Sequence, residues 1–295
     1  MSEIYREGII TKGIGGFYYV ESAGGITECR ARGKFRKMEL TPIVGDRVVV
    51  RVPEAGGAEL CEIKPRKNSL VRPGVSNVDA VMLVSAAKSP MPDLFLTDKM
   101  LVIAESKGIR GYICLNKTDL AETDEVKAFA SVYERAGYEV VIASAATGEG
   151  VPRLREIICG KTVAFAGLSG VGKSSLLRRI TGKELETGSV SRIERGRHTT
   201  RHVELMHAAG GFVFDTPGFS RLEADAVRAA DLWQYFPEIR ALHQNCRFAD
   251  CNHIKEPGCA VLEAVADGRI AESRHQSYAA MFEKLKEIKE WERKD

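Results

Sequence analysis

A glycine-rich segment at residues 167–174 constrains the fold of this chain more than any other feature. Its sequence is Gly-Leu-Ser-Gly-Val-Gly-Lys-Ser, and it lies between a strand-like apolar run at 162–166 and a helix-like run at 173–180. Glycines let backbone N–H groups close around a phosphate, and the N-terminus of the following helix adds a partial positive charge. A strand, loop and helix in this order therefore predict a phosphate loop in an α/β domain.

Alternating strands and helices surround the predicted phosphate loop. Strand-like runs lie at 80–85, 111–115, 140–143, 162–166 and 211–214, and helix-like runs lie at 94–106, 124–136, 151–158 and 173–180. This alternation predicts a mainly parallel sheet that is covered by helices on both faces.

The two ends of the chain have different patterns. Short runs rich in β-branched residues lie at 8–20, 25–31, 46–52 and 59–63. They predict a small β-barrel, for which the oligonucleotide-binding type and another small barrel type both remain open. Beyond about residue 221 the pattern is helical, and a terminal helix at 277–291 has its apolar positions at Tyr278, Met281, Phe282, Leu285 and Ile288. We therefore predict three domains, a β-barrel at 1–72, an α/β domain at 73–221 and a helical domain at 222–295.

Composition adds little except for one basic run. Hydrophobic residues make up 44% of the 295 residues and charged residues 28%, which is ordinary for a globular protein, and the net charge is only +3. Five cations fall within eight residues: Arg30, Arg32, Lys34, Arg36 and Lys37. They predict either a nucleic-acid contact or a solvated face of a strand and loop. No apolar run approaches a membrane span and the N-terminus lacks the apolar core of a signal peptide, so we expect a cytoplasmic protein with no membrane partner.

A second motif, Asn116-Lys117-Thr118-Asp119, follows the strand-like run at 111–115. Alone, such a tetrapeptide is more typical of a turn and a helix cap. Beside a phosphate loop it indicates guanine, because a carboxylate at the fourth position pairs with the N1 and amino donors that occur together only on that base. Ser144 and Ala145 end the next strand, and we expect a backbone N–H there to approach the guanine oxygen. The predicted ligand is therefore GTP.

The phosphate loop and two later segments predict the contacts to phosphate and magnesium. Lys173 is expected to contact the β- and γ-phosphates and Ser174 to bind Mg²⁺, while Asp215 holds the ion through water and the Gly218 N–H reaches the γ-phosphate. Thr200 is the favoured further magnesium ligand, with Thr199 as the alternative. The predicted nucleotide-binding residues are Asn116, Lys117, Asp119, Ser144, Ala145, Gly167, Leu168, Ser169, Gly170, Val171, Gly172, Lys173, Ser174, Ser175, Asp215 and Gly218.

The catalytic apparatus lacks one expected residue. Ras-like and Gα proteins use a glutamine near the second switch to orient the attacking water, but here Gly218 is followed by Phe219 and Ser220. We therefore predict slow intrinsic hydrolysis that a partner completes. His198 is a candidate for orienting or deprotonating the water, because imidazole titrates near neutral pH; an exposed loop histidine is the alternative. The predicted catalytic residues are His198, Thr200 and Lys173.

Four potential metal ligands cluster near the C-terminus. Cys246, Cys251, His253 and Cys259 are separated by four, one and five residues. In a cytosolic chain, three thiolates and one imidazole at such spacing predict a tetrahedral zinc site rather than disulfides. Four protein ligands leave no open position, so the zinc would be structural. His243 is a less favoured substitute for His253.

The order of the motifs is permuted, because the guanine motif precedes the phosphate loop and Asp215-Thr-Pro-Gly follows both. With Gly-Arg-His-Thr-Thr at 196–200 and the Cys-Cys-His-Cys cluster, this order resembles the RsgA, or YjeQ, family over essentially the whole chain. The resemblance implies an oligonucleotide-binding barrel, a circularly permuted GTPase domain and a zinc domain. One departure is Arg201, where the family often has a third threonine, and it bears on the choice between Thr199 and Thr200.

The resemblance also implies a function in late maturation of the small ribosomal subunit, with GTP hydrolysis stimulated by that subunit. The expected partners are the small subunit and its rRNA, GTP and GDP, with guanine alarmones as a further candidate through shared base recognition. We expect a monomer, because the chain has no heptad pattern. The alternative is an rRNA-binding assembly factor that uses guanine nucleotide only as an affinity switch. A metal-dependent nuclease is disfavoured by the saturated zinc ligand set.

Overall fold

The N-terminal part of the computed structural model is a closed five-stranded barrel. The described residues are 4–33, 35, 38–54, 56–71, 74–182, 203–215 and 227–288. The barrel strands are β1 (Ile4–Ile14), β2 (Phe17–Ser22), β3 (Gly25–Ala31), β4 (Arg47–Val52) and β5 (Ala58–Ile63). Their order around the barrel is β1-β2-β3-β5-β4-β1, with β3 and β5 parallel and the other pairs antiparallel. The predicted oligonucleotide-binding barrel is confirmed.

The barrel interior follows the alternation of the strands. Ile10, Val20 and Leu60 point inward and are at most 1% exposed. The run at 8–20, predicted as one strand, is two strands, because Gly15 and Gly16 adopt positive φ angles of 59° and 84° and turn the chain. Such angles favour glycine, so this pair marks the β1–β2 hairpin.

A six-stranded sheet forms the α/β domain. A short hairpin of β6 (Ser69–Val71) and β7 (Gly74–Ser76) precedes it. The sheet strands are β8 (Ala80–Ala86), β9 (Arg110–Asn116), β10 (Glu139–Ile142), β11 (Thr162–Ala166), β12 (Glu204–Ala208) and β13 (Gly211–Asp215). They lie in the order β10-β9-β8-β11-β13-β12, in which only β12 is antiparallel to its neighbour in this sheet. The predicted mainly parallel sheet is confirmed, although β12 was not predicted.

Within the part of the chain that the structure describes, four helices cover this sheet, and local capping residues mark where the first two begin. They are α1 (Leu94–Ser106), α2 (Thr123–Arg135), α3 (Val151–Ile158) and α4 (Lys173–Thr181). Helix α1 begins where the Asp93 carboxylate accepts the Leu96 N–H at 2.9 Å, and α2 begins with a capping box between Glu122 and Glu125. Among the helices within the described ranges, none is both long and apolar enough to span a bilayer.

The barrel joins the sheet edge to edge. Strand β1 pairs with β12 through Lys12 and Glu204, so the two sheets form one array of eleven strands. A hydrogen bond of 2.6 Å between Glu21 and His207 spans the same junction. The strand that follows residues 183–202 is thus attached directly to the barrel.

The C-terminal region is mainly helical and packs against α1. It contains a 3-10 helix (Ala229–Tyr235), α5 (Pro237–Arg240), a second 3-10 helix (His243–Asn245), α6 (Ala260–Ala266) and α7 (Glu272–Glu287). The predicted terminal helix is confirmed in its buried positions Tyr278, Met281, Phe282 and Leu285. The helix begins at Glu272, earlier than predicted. The prediction missed its first turn because the residue buried there is the charged Arg274 rather than an apolar one.

Arg274 joins the C-terminal region to the α/β domain through buried charges. Its guanidinium donates to Asp98 of α1 at 2.7 Å and to both carboxylate oxygens of Glu238 of α5 at 2.7 and 3.1 Å. It also lies 4.5 Å from the centre of the Phe236 ring. The Arg274 and Asp98 side chains are each 1% exposed, so this bridge is shielded from water.

Candidate functional site

The site lies at the carboxyl ends of β8 and β11, where the chain order of the sheet reverses. From β8 the sheet continues through β9 to β10, and from β11 it continues in the other direction through β13 to β12. Open α/β sheets bind ligands at such a point. The predicted phosphate loop follows β11 here and packs on β8, since a Cβ at Gly167 would lie 2.1 Å from the Val84 carbonyl oxygen.

The loop 167–174 curls around the Lys173 ammonium group. Lys173 Nζ donates to the carbonyl oxygens of Gly167 at 2.8 Å and Leu168 at 2.6 Å. Gly170 and Gly172 have φ angles of 82° and 94°, which a glycine adopts without strain. Ser174 is the second residue of α4, so the lysine and the serine stand together at the N-terminus of a helix. This arrangement suits the binding of phosphate.

Asn116 connects three segments that are far apart in sequence. Its side-chain amide donates to the Val171 carbonyl of the phosphate loop at 2.8 Å, and its side-chain oxygen accepts the Ala145 N–H at 3.0 Å. Asn116 is 1% exposed, and a Cβ at Gly172 would lie 2.2 Å from its amide nitrogen. The guanine motif, the phosphate loop and the Ser144-Ala145 segment are therefore held at one place.

Hydrogen bonds orient the remaining residues of the guanine motif. The Asp119 carboxylate accepts the Ser144 hydroxyl at 2.5 Å, and Ser144 is fully buried. Thr118 donates through its hydroxyl to the Ala143 carbonyl at 3.0 Å. Lys117 adopts a left-handed φ of 62° and donates to the carbonyl of Ser89. These bonds fix the motif at the end of β9, where Thr118–Leu120 form a short 3-10 helix.

Several predicted residues fall beyond the described part of the chain. His198, Thr199, Thr200 and Gly218 lie outside the described residues. The backbone of Asp215 pairs with Phe165 at the carboxyl ends of β13 and β11, next to the phosphate loop.

The predicted basic run is only partly described, and Lys34, Arg36 and Lys37 lie outside the described residues. Arg30 stacks over the Phe17 ring at 4.3 Å, and Arg32 donates to Glu59 at 2.9 Å. The nucleic-acid contact and the solvated face both stay predictions.

The four cysteine and histidine residues of the C-terminal region form a compact cluster. The ligand atoms of Cys246, Cys251, His253 and Cys259 all lie within 4.8 Å of one another. Cys259 Sγ is 3.9 Å from Cys246 Sγ and 3.4 Å from His253 Nδ1. Tetrahedral zinc with bonds of about 2.0–2.3 Å separates its ligands by about 3.3–3.8 Å, so these residues fit structural zinc.

His243, the less favoured alternative ligand, contacts His253 from outside the cluster. Its Nδ1 lies 2.9 Å from Nε2 of His253, while Nδ1 of His253 faces the cluster. His243 also stacks on Trp233 with ring centres 3.7 Å apart. Burial lowers the pKa of His253 to about 4, so its imidazole is neutral near pH 7. His243 therefore orients the histidine ligand, as second-layer partners of zinc ligands commonly do.

Together, a phosphate loop, a guanine motif and a sheet with this strand order define a circularly permuted GTPase domain. Family models agree: the RsgA GTPase model matches residues 63–225, and the RsgA N-terminal domain model matches residues 7–58. A model described as 50S ribosome-binding GTPase matches residues 162–289. The chain belongs to the RsgA GTPase family.

Individual relatives match over nearly the full length. A protein of Ruminiclostridium cellulolyticum named small ribosomal subunit biogenesis GTPase RsgA is 46% identical, and the match covers 97% of this chain and 96% of the relative. An equally named protein of Caldanaerobacter subterraneus is also 46% identical, over 98% and 97% of the two chains. The crystal structure of YjeQ from Thermotoga maritima has a TM-score of 0.82 at 38% identity and covers 97% of this chain and 100% of its own. YloQ, described as a circularly permuted GTPase, has a TM-score of 0.80 at 38% identity over 97% and 96%.

Proposed function

We propose that this protein hydrolyses GTP to GDP and phosphate and acts in biogenesis of the small ribosomal subunit. The observation that carries the GTPase assignment is the position of Asn116, which holds the phosphate loop and the base-reading segments together through two hydrogen bonds. A site that joins phosphate and guanine recognition in this way selects a guanine nucleotide. The names of the full-length relatives support the assignment to the small subunit.

In this proposal, each segment of the site has a separate task. Asp119, oriented by Ser144, reads the N1 and amino groups of guanine. The Ala145 N–H, which donates to Asn116 in this structure, exchanges that bond for one to the guanine oxygen. Lys173 gives up its hydrogen bonds to the loop carbonyls and contacts the phosphates, because their negative charge stabilises the ammonium group more than neutral carbonyls do. Ser174, Asp215 and Thr200, with Thr199 as the alternative, are the proposed magnesium ligands. When bound, Mg²⁺ supplies positive charge that neutralises the phosphates.

Hydrolysis in this proposal depends on completion of the site by a partner. Gly218 is followed by Phe219 and Ser220 instead of a glutamine that could orient water, so the intrinsic rate is low until the ribosomal subunit completes the site. His198 then orients the attacking water or accepts its proton. The zinc cluster has no open coordination position and therefore stabilises the fold rather than taking part in hydrolysis.

We further propose that the barrel and its basic residues contact rRNA, and that the protein acts in the cytoplasm, where ribosomal subunits are assembled. Binding of guanine alarmones in place of GDP and a monomeric state also remain predictions. Alarmone binding is supported by the shared guanine base.

GTP turnover of the purified protein with small or large ribosomal subunits tests this proposal. We expect strong stimulation by small subunits and none by large subunits. The large-subunit arm is needed because one matching family model describes a 50S-binding GTPase. GTP-dependent binding to small subunits without stimulated turnover would favour the alternative of a pure affinity switch. Ser174→Ala should bind the subunit and fail to leave it if hydrolysis drives release.

A further inference from the structure

Arg179 connects α4, the helix that begins at the phosphate loop, to residues 144–146, here called the base-reading loop because they carry the proposed contact to the guanine oxygen. Its Nε donates to the carbonyl of Ala145 at 2.9 Å, and its Nη2 donates to the carbonyl of Ala146 at 2.8 Å. One planar guanidinium thus holds two successive carbonyls, which fixes both the position and the tilt of these peptide groups. No motif of the sequence marks this arginine.

The Arg179 contact closes a ring of hydrogen bonds around the site. Val171 accepts from Asn116, Asn116 accepts from the Ala145 N–H, and Ala145 accepts from Arg179, which returns through α4 to the phosphate loop. Helix α4 is short, at nine residues from Lys173 to Thr181, so little flexibility separates the two ends of this connection. The base-reading loop and the phosphate loop therefore form one mechanical unit.

A second arginine holds the C-terminal end of α4, where Arg179 lies, through backbone hydrogen bonds. Arg155, at the end of α3, donates to the carbonyls of Arg179 at 2.7 Å and Ile180 at 3.3 Å. A cation at the last carbonyls of a helix satisfies acceptors that have no partner within the helix. The two arginines together keep the end of α4 next to the loop at 145–146.

We propose that Arg179 is a positioning residue for guanine recognition, which sets the backbone at Ala145 and Ala146 that reads the guanine O6 atom. Arg179 does not contact the base itself and acts only through the two carbonyls. The inference rests on the proposed guanine-nucleotide site and deepens it, because it separates recognition of O6 from recognition of N1 and the amino group. The first depends on Arg179 and the second on Asp119.

Three nucleotides distinguish these two parts of recognition. 6-Thio-GDP replaces O6 by sulfur, a poorer acceptor, and keeps the donors that Asp119 reads, whereas IDP lacks only the amino group. Affinities for GDP, 6-thio-GDP and IDP are measured by competition against a fluorescent GDP. The variants are Arg179→Ala, Arg179→Lys and the control Arg153→Ala, an arginine of α3 that pairs with Glu139 and is 51% exposed.

We expect Arg179→Ala to lower the preference for GDP over 6-thio-GDP by about 3- to 10-fold, the effect of losing one or two hydrogen bonds that orient the loop. The preference for GDP over IDP should change by less than about twofold, because Asp119 and Ser144 keep their bond. Arg179→Lys, which offers a point charge instead of a fork, should recover only part of the loss. Arg153→Ala should behave as the parent protein.

Other outcomes would overturn the inference. A uniform loss of affinity for all three nucleotides, or full recovery by lysine, would show that Arg179 has a general structural role. Unchanged affinities in Arg179→Ala, or a parent protein that does not distinguish 6-thio-GDP from GDP, would exclude the proposed role of Arg179 in O6 recognition. Either result would leave the proposed guanine-nucleotide site intact. Failure of the parent protein to bind any of these nucleotides would contradict the proposed function itself.

Discussion

Replacing Arg274 by alanine should destabilise the C-terminal region strongly, because it leaves two buried carboxylates without their cation. Asp98 and Glu238 have side-chain exposures of 1% and 6%. Burial already raises the pKa of Asp98, and the positive charge of Arg274 opposes that rise. Without Arg274, Asp98 either remains charged in a buried site or takes up a proton.

The size of the effect follows from the cost of that proton. An ordinary aspartate has a pKa of 3.8. Protonating such a carboxylate at pH 7 costs about 4 kcal/mol, since each pH unit above the pKa is worth about 1.4 kcal/mol. Removal of one partner from a buried ion pair typically costs about 3–5 kcal/mol. The two routes agree, so we expect Arg274→Ala to lower the free energy of unfolding by about 3–5 kcal/mol at pH 7.

The penalty should also depend on pH in a defined direction. Without the opposing charge of Arg274, the pKa of Asp98 in the folded state is higher in the variant than in the parent. The folded variant therefore binds more protons than the folded parent, and its stability relative to the parent falls as pH rises. The penalty should shrink by up to about 1.4 kcal/mol per unit as pH is lowered from 7 toward 5.5. Adding Asp98→Asn should remove most of this pH dependence.

Urea unfolding followed by tryptophan fluorescence measures this effect, since Trp233 stacks on His243 inside the C-terminal region. Arg269→Ala is the matched control, because Arg269 is 59% exposed and pairs with Asp267 in the same loop. A penalty below about 1 kcal/mol, or an equal penalty in the control, would refute the reasoning, since about 0–1 kcal/mol is typical of surface pairs. So would a penalty that is independent of pH.

Three further predictions concern the nucleotide and metal sites. Gly172→Ala should weaken GDP binding by at least about 10-fold, because the added Cβ would displace the buried Asn116 amide. The control Gly57→Ala, which has open space around it, should leave GDP binding unchanged. Isothermal titration calorimetry measures the affinity of both variants. Asp119→Asn should shift preference from GTP toward XTP in a competition assay, and an unchanged preference would exclude the proposed base contact. Chelation of zinc should unfold the C-terminal region, seen by circular dichroism, and leave GDP binding intact; loss of binding would contradict the predicted domain division.

The sequence predicts most of the fold because long apolar runs and glycine turns act locally. The runs at 162–166 and 94–106 coincide with β11 and α1. Strand β12 escapes prediction because Leu205 and Ala208 are its only fully buried residues, too few to define an apolar pattern. The start of α7 is missed for a related reason, since the inward residue of its first turn is a charge.

The candidate site is predictable where its chemistry is carried by contiguous motifs and not where it depends on distant contacts. The phosphate loop, the guanine motif and the cysteine cluster each lie within a few residues. Arg179 and His243 act on residues that only the fold brings near them, and the partner of Arg274 at Asp98 lies 176 positions away. A single sequence contains no local pattern that indicates such pairs.

The permuted order also decides which part of the domain a ribosome makes first. Strand β8 is buried along its whole length and pairs with β9 on one side, but its other neighbour, β11, begins only at residue 162. Until that strand is synthesised, β8 presents an open apolar edge of the kind that promotes aggregation and engages chaperones. The residue that follows β11 begins the phosphate loop. A nascent chain therefore covers this apolar edge at the same step at which it begins to make its phosphate-binding loop.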